Sequence, residues 1–421
     1  MKNTDKKRAA SQEGKVLALI ASVAATVREG LHELVVSSGL SVVAAMFEAD
    51  REALCGPRYA HSEHVAHRGG HVSGELAMGG RRVQMKRPRV RSVGGRELKL
   101  PTWEHFAGMD PLGERAYEQM LVGVATRQYG RSLEPLGAGV EERGTSKSAV
   151  SRRFVAATAA RVEEELSRPL GQLRLTAVMI DGIHFGEHVV LLALGIDESG
   201  RKHVIGLREG ATENAASCTA LIANLVERGL DGTRSLLVII DGGKALRKAV
   251  REVFGKRALV PRCQVHKRRN VLDQLPERMR ASVGSALSQA YASRDKAQAL
   301  RQLYNLERRI AKEHPSAAAS LREGLDETLT VVGLGLPRAL ERSLATTNPI
   351  ENLNSLARRV CGRVKRWQGG EMILRWMTAA MSEATKGFRR LKGHAGMAVL
   401  LAWLRRCDES IDGDTKVNVA A

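Results

Sequence analysis

The chain has 421 residues, room for two to four domains at ~100–200 residues each. Its 43% hydrophobic and 27% charged residues are those of a globular protein, and no run reaches the ~18–20 apolar residues that cross a bilayer, which excludes an integral membrane protein. The 66 Lys and Arg against 46 Asp and Glu leave a formal charge of +20, an excess that points to a polyanionic partner, nucleic acid first.

The charge is concentrated in three blocks. Residues 51–100 carry 11 basic and 4 acidic side chains, residues 241–280 carry 12 and 4, and residues 351–393 carry 10 and 3, which leaves the remainder of the chain slightly acidic. A solvated face mixes its signs, whereas three separate basic blocks suit surfaces that track a phosphate backbone. Five cysteines, Cys55, Cys218, Cys263, Cys361 and Cys407, are an odd number spread thinly, unlike the paired framework of a secreted disulfide protein.

In chain order, residues 1–68 are predicted to be a helical region. The apolar stretch 16–27 behind a Lys-rich start resembles a signal-peptide core, but Asp5 and Glu13 precede it and the pattern continues through Leu31, Leu34 and Val35 at helical spacing, as in an amphipathic helix of a folded domain. Cys55 with His61, His64 and His67 invites a metal reading. The three His would lie loosely along one helix face without an acidic or Cys partner at convincing spacing, and they are assigned to polar surface. Residues 69–108, punctuated by Gly69-Gly70, Gly79-Gly80 and Gly94-Gly95, form a basic hairpin or a basic linker.

Residues 109–170 are predicted as a helical, helix-turn-helix-like DNA-binding region. Gly144 would end one helix, Ser146 would cap the next, and Lys147 and Arg152 would reach DNA from its first turns.

From Leu173 the period becomes that of strands. Residues 173–180, 189–196 and 202–207 read as three antiparallel strands, 214–228 as a helix, 235–240 as a central strand apolar on both faces, 244–254 as a helix and 258–260 as a short fifth strand. This βββαβαβ order places the chain in the α/β class and is that of an RNase H-like catalytic core, whose first part covers residues 171–265. Residues 266–342 are rich in Ala, Leu, Arg and Glu, with breaks at Pro276, Pro315 and Pro337, and are predicted as an all-helical insertion. A second part of the core follows at 343–393, and 394–421 is a C-terminal helix and tail.

Asp181 and Asp241 each close an apolar strand. Two neighbouring parallel strands ending in carboxylates would aim both at one point beyond the sheet, and a third acid from a helix would complete a site for Mg²⁺ or Mn²⁺. Each aspartate also precedes Gly, so a turn-forming role accounts for either one alone. Glu351 follows Asn348, a helix cap, and Pro349 at the first helical position; a first-turn Glu there is favoured by the helix dipole whether or not it does chemistry. Other chemistry is excluded. Gly242, Gly243 and Lys244 lack the upstream Gly of a P-loop and Ala245 stands where Ser or Thr is required, and no Gly-rich dinucleotide turn follows a strand.

Three blocks now carry a resemblance: residues 178–183 around Asp181; residues 239–244 around Asp241, running on to 261–270 with Cys263, His266, Lys267, Arg268 and Arg269; and residues 346–354 around Glu351, followed by Arg358 and Arg359. The chain resembles the mutator-type transposases of bacterial insertion sequences over most of residues 80–380. The resemblance implies an Asp-Asp-Glu triad of Asp181, Asp241 and Glu351, separated by 60 and 110 residues, with the helical insertion inside the longer gap. It implies two divalent ions, Mg²⁺ or Mn²⁺, held by the triad, cleavage at the element's ends and transfer of the freed 3′-hydroxyl to target DNA. Cys263 and His266 form the family's Cys-x-x-His signature; a structural zinc lacks a second ligand pair nearby, and a place beside the active site fits the surrounding charge. Lys147, Arg152, His266, Lys267, Arg268, Arg269, Arg358 and Arg359 are the expected DNA contacts. The implied partners are double-stranded DNA, both terminal repeats and target, and a second copy of the chain in a homodimer or larger assembly, with no membrane, in the bacterial cytoplasm at the nucleoid. A catalytically inactive DNA-binding descendant of such a transposase is the alternative. The insertion offers only Tyr291 and Tyr304 as aromatics, leaving Trp367 as another stacking residue.

Overall fold

The computed structural model describes residues 30–31, 34–58, 66–108, 111–134, 136, 141–210 and 215–419. The chain divides into two compact units, one up to Ala157 and one from Thr158. The apolar stretch 16–27 and two of the clustered histidines, His61 and His64, lie outside the described residues.

In the first unit, helix α1 (34–55) precedes a long antiparallel hairpin, β1 (Ala66–Met78) and β2 (Arg81–Ser92), paired from Ala66 with Ser92 to Met78 with Arg81. Of the two readings for this stretch, hairpin or linker, the hairpin is the one formed. Gly79 and Gly80 turn it at φ +57° and +84°, the left-handed pair that a two-residue turn between twisted strands requires. His67 is a strand residue in β1 rather than a helical one. Short strands β3 (Glu97–Leu98) and β4 (Glu142–Arg143) add to β2, and helices α2 (Pro101–Gly108) and α3 (Pro111–Val122) lie between them in sequence. Val43 and Phe47 of α1 pack with Leu76, Val90 and Leu100 in an apolar cluster of this unit.

Helix α4 (Lys147–Ser167) starts where expected, and Ser146 Oγ accepts from the Ala149 amide at 3.3 Å, satisfying an N-terminal orphan donor. The segment before it corrects the expectation: Gly144 follows strand β4, not a helix. Arg82 and Val83 of β2 pair with Arg143 and Glu142, so the two residues before Gly144 are held in the sheet.

The second unit is built on a five-stranded sheet in the order β7-β6-β5-β8-β9. Strands β5 (Leu175–Phe185), β6 (His188–Asp197) and β7 (Lys202–Gly210) form an antiparallel meander, whereas β8 (Leu236–Ile240) and β9 (Ala258–Leu259) add in parallel after crossovers through α5 (Ala215–Glu227) and α6 (Lys244–Phe254). Leu221, Ile222 and Leu225 of α5 and Leu246 and Val250 of α6 cover one face, packing on Val178, Ile180, Val238 and Ile240. Val238 and Ile239 point to opposite faces and both are buried, as a central strand covered on both sides demands.

The sequence places the end of β5 at Ile180; the strand continues to Phe185, pairing with β6 down to Phe185 with His188. What ends at Ile180 is the pairing with β8, whose last register pair is Ile180 with Ile240.

After β9 come α7 (Gln264–Asp273), α8 (Glu277–Tyr291), α9 (Lys296–Ala311), α10 (Pro315–Arg322), α11 (Leu325–Thr328) and α12 (Arg338–Leu344). The first five enclose an apolar cluster of their own, including Val271, Leu287, Leu303, Ile310 and Leu321, to which no sheet residue contributes. Then follow α13 (Asn348–Cys361), α14 (Gly370–Lys386) and α15 (Met397–Val419). No helix among the described residues is long and apolar enough to cross a membrane.

Candidate active site

The register of the two parallel strands sets the first two carboxylates. Ile180 is opposite Ile240, so Asp181 and Asp241 are the next residues on adjacent strands and emerge side by side. Asp241 Oδ1 accepts from the Gly243 amide at 2.9 Å, and Asp181 Oδ1 from the Gly182 amide at 3.0 Å. Asp241 thus opens the turn into α6, whereas Asp181 and Gly182 lie within β5 and stay paired with β6, so a turn-forming role accounts for Asp241 alone. Gly242 sits at φ +108°, and a Cβ there would stand 2.2 Å from Nε of the buried Arg262, which explains why the residue after Asp241 is glycine.

Glu351 arrives on α13. The helix starts one residue earlier than the sequence suggests: Thr347 is the cap and Asn348 already helical, with the Glu351 amide making the first-turn bond to the Thr347 carbonyl at 2.9 Å. One turn further on, Asn354 Nδ2 donates to Asp181 Oδ2 at 2.7 Å, tying α13 to β5. Asn354 is 1% exposed and its Oδ1 has no partner.

Thr347 links this helix to the Cys-x-x-His segment. Its hydroxyl donates to Glu351 Oε1 at 2.6 Å and lies 3.2 Å from Cys263 Sγ and 3.3 Å from His266 Nδ1. Cys263 is buried at the N-cap of α7; its sulfur accepts from the His266 amide at 3.5 Å, and its own amide donates to the Ile240 carbonyl at the end of β8 at 3.0 Å. His266 Nε2 stands 3.6 Å from Glu351 Oε1. The candidate ligand atoms of Cys263, His266 and Glu351 lie within 4.8 Å of one another. The Thr347 hydroxyl contacts all three.

The electrostatics agree with convergence. Burial raises the Asp181 carboxyl above the usual aspartate range, the neighbouring Asp241 carboxylate raises it further and Glu351 adds to it, against the pull of His266 and the Gly182 amide. Hydrogen bonding to Cys263 raises His266 despite its burial, with the Glu351 and Asp181 carboxylates helping. Burial works to raise the Cys263 thiol, but hydrogen bonds from His266 and Thr347 outweigh it and leave the thiol below its ordinary value.

The remaining residues named from sequence fall in three groups. Arg268, Arg269, Arg358 and Arg359 are exposed, as are Lys147 and Arg152 in the first unit. Arg358, seven residues after Glu351 and four after Asn354, shares their face of α13. His266 is half-buried among the carboxylates. Lys267 is a correction: it is fully buried, its Nζ donating to the carbonyls of Ser320 and Glu323, so it is withdrawn from the DNA contacts. Its position in α7 between Cys263 and Val271, both buried, turns it inward while Arg268 and Arg269 face out. Trp367 lies outside the helices, half-buried with its ring 5.4 Å from Phe185. Tyr291 is core and Tyr304 is exposed. Asn354 and Thr347 escaped the sequence reading, although helical spacing from Glu351 already places Asn354 one turn away on its face.

Comparison with known proteins supplies the family. The model of the Transposase, Mutator family matches residues 10–390. The transposase for insertion sequence element ISRM5 of Rhizobium meliloti (strain 1021) is 27% identical over 374 residues, 88% of this chain and 91% of that protein. The transposase for insertion sequence element IS6120 of Mycolicibacterium smegmatis is 30% identical over 244 residues, 55% of this chain and 71% of the relative. The transposase for IS256 in transposon Tn4001 of Staphylococcus aureus is 29% identical over 302 residues, 63% of this chain and 71% of the relative. With a match of that extent, the chain belongs to the mutator family of transposases.

Proposed function

We propose that this transposase cuts DNA at the ends of an insertion sequence and joins the freed 3′ ends to target DNA, using an RNase H-like core with an Asp-Asp-Glu triad. The convergence of Asp181, Asp241 and Glu351 carries the reading: two carboxylates leave adjacent parallel strands at one register step, and the third sits on the helix whose Asn354 grips the first. The strand order, an antiparallel meander extended by two parallel strands, supports an RNase H-like core, and the separate apolar cluster of α7–α11 supports reading that stretch as an insertion.

Hard carboxylate oxygens, with Asp181 raised by burial and then by its acidic neighbours, are a donor set suited to Mg²⁺ or Mn²⁺, and Asp181, Asp241 and Glu351 would hold them. Such ions, when bound, supply Lewis-acid stabilisation of the phosphodiester's developing charge and make an attacking hydroxyl more acidic. Asn354 keeps the Asp181 carboxylate in one orientation, and Thr347 does the same for Glu351. His266, whose proton affinity is raised by Cys263 and the nearby carboxylates, would add positive charge in its protonated form where phosphate oxygens gather. In cleavage, water adds to the phosphorus, the bond to the 3′ oxygen breaks and a 3′-hydroxyl leaves. In joining, that hydroxyl attacks a target phosphorus, forming one phosphodiester as another breaks, so no ATP is consumed. Lys147, Arg152, Arg268, Arg269, Arg358 and Arg359 are the proposed DNA contacts, and the assembly is a homodimer or larger on double-stranded DNA at the nucleoid.

The test is a cleavage and strand-transfer assay on DNA carrying the element's ends, with Mg²⁺ or Mn²⁺, comparing wild type with Asp181→Ala, Asp241→Ala and Glu351→Ala. Metal-dependent joined product from wild type, lost in all three variants, is expected. Wild type that binds those ends without cutting under either metal would move the inactive DNA-binding descendant ahead.

A further inference from the structure

A cavity of about 420 Å³ in the second unit lies between the start of β7, α12, the first turns of α13 and the segment after α14. Four cationic side chains line it, Lys202, Arg342, Arg390 and Lys392, and no carboxylate does. Among the described residues none of the four forms an ion pair, although the protein pairs many of its other surface arginines. The lining also includes Thr346, whose Oγ1 is buried without a partner, and the exposed amide side chain of Asn352.

The frame is fixed. The Leu391 amide donates to the Gly200 carbonyl at 2.8 Å, fastening the Arg390–Lys392 segment to the β6–β7 turn, and Ser343 Oγ donates to the Lys392 carbonyl at 2.8 Å, fastening it to α12. Lys202 rests over the Phe388 ring at 4.8 Å, and burial lowers its ammonium from the ordinary lysine value. A concentration of unpaired positive charge on a rigid frame opposes folding unless something anionic uses it.

We propose that this cavity binds the phosphodiester backbone of DNA without reading its sequence. The inference rests on the transposase reading and adds a second contact region to it. Donors for phosphate oxygens are abundant here, while the cavity wall carries no aromatic to stack a base. Asn348 and Asn352, four residues apart, border the cavity from one flank of α13, whereas Glu351, Asn354 and Arg358 occupy another. A duplex reacting at the carboxylates would therefore be held here at phosphates that do not react.

The experiment measures binding of the full-length protein to a labelled duplex carrying an element end, and to a duplex of unrelated sequence, across a salt series. Wild type is compared with Arg342→Gln/Arg390→Gln and with Lys202→Gln/Lys392→Gln, and thermal melting checks each fold. The exposed arginine pair is the decisive variant, because replacing the half-buried Lys202 disturbs packing on Phe388. Affinity of the arginine variant is expected to fall about tenfold or more near ~0.15 M salt, with the slope of log affinity against log salt reduced by about two, equally on both duplexes. Unchanged affinity and slope, with wild type binding DNA normally, would overturn the cavity while leaving the transposase reading in place. A loss confined to the element end would overturn the sequence-independent contact. Wild type that binds neither duplex would sink the transposase reading and the cavity with it.

Discussion

At the scale of single residues, Asn354 holds the first acid of the proposed triad. Its amide donates to Asp181 Oδ2 at 2.7 Å from a fully buried position, and a hydrogen bond to a charged group contributes about 1.5–3 kcal/mol. Replacing it by Leu, close in volume, removes the donor to Oδ2 and leaves the carboxylate held at its other oxygen by the Gly182 amide. Asn354→Leu is expected to weaken Mn²⁺ binding about tenfold, in line with the loss of other groups that orient metal ligands. Calorimetric or paramagnetic Mn²⁺ titration reads this without any turnover, and wild-type metal affinity in the variant would show that Asp181 is oriented by something else.

Lys267 gives the second residue-scale prediction. Burial, then the charge of Arg262, lowers its ammonium from 10.5 to about 8. Below pH 8 both folded and unfolded chains hold the proton, and the folded state bears the full cost of a buried charge. Between pH 8 and 10.5 the unfolded chain binds the proton and the folded chain does not, so stability attributable to this group rises with pH across that window. Lys267→Met has no such group. Urea unfolding from pH 7 to 10.5 is expected to show wild type gaining stability on the variant, by up to about 3 kcal/mol for a depression of this size. Parallel pH profiles would mean that Lys267 keeps its ordinary proton affinity when buried.

Much of the candidate site was legible at this scale, because an Asp-Gly pair closing each apolar run and a first-turn Glu carry their own local signals. Lys267 was not. The run Lys267, Arg268, Arg269 looks uniformly basic in sequence, and only the helical phase set by Cys263 and Val271 separates the inward residue from the two outward ones. Thr347 was hidden for a different reason: its work is a contact with Cys263 across 84 residues of chain, which no local pattern encodes.

At the scale of elements, the turn between β8 and α6 fixes where Asp241 points. Gly242 combines φ +108° with a close approach by Arg262, whose Nη1 is itself held by the Glu323 carbonyl at 2.9 Å. Neither side of that contact has room to move. Gly242→Ala is expected to cost about 1–3 kcal/mol, from backbone strain and the displaced guanidinium, and to weaken metal binding by shifting Asp241. Denaturant unfolding checks the first effect; stability equal to wild type would mean that the turn relaxes without cost. The strands and helices around this turn were readable because hydrophobic period changes sharply along the chain. Two boundaries were not. The end of β5 was misplaced because Asp181 interrupts an apolar run while β6 goes on pairing beyond it, and β4 was missed because two charged residues, Glu142 and Arg143, form it entirely through pairing with β2.

At the scale of the whole molecule, the proposed chemistry lies in one unit, whereas net charge is shared between the two nearly in proportion to their length. Residues 158–421 contain all three carboxylates, the sheet cluster and the helical cluster, and they carry +13 of the net charge of +20. The apolar cluster of the hairpin and α1 contains no residue from the second unit. Each unit thus has the core that independent folding requires. A fragment of residues 158–421 is expected to unfold in one cooperative transition by circular dichroism, to bind Mn²⁺ as the full-length protein does, and to retain salt-sensitive binding to duplex DNA of any sequence. Discrimination of the element's ends should fall in the same fragment, since Lys147, Arg152 and the basic hairpin are removed. A fragment that fails to fold, or folds without metal affinity, would show that the first unit completes the site. A fragment that still prefers the element's ends would place sequence recognition in the catalytic unit instead of the hairpin and α4.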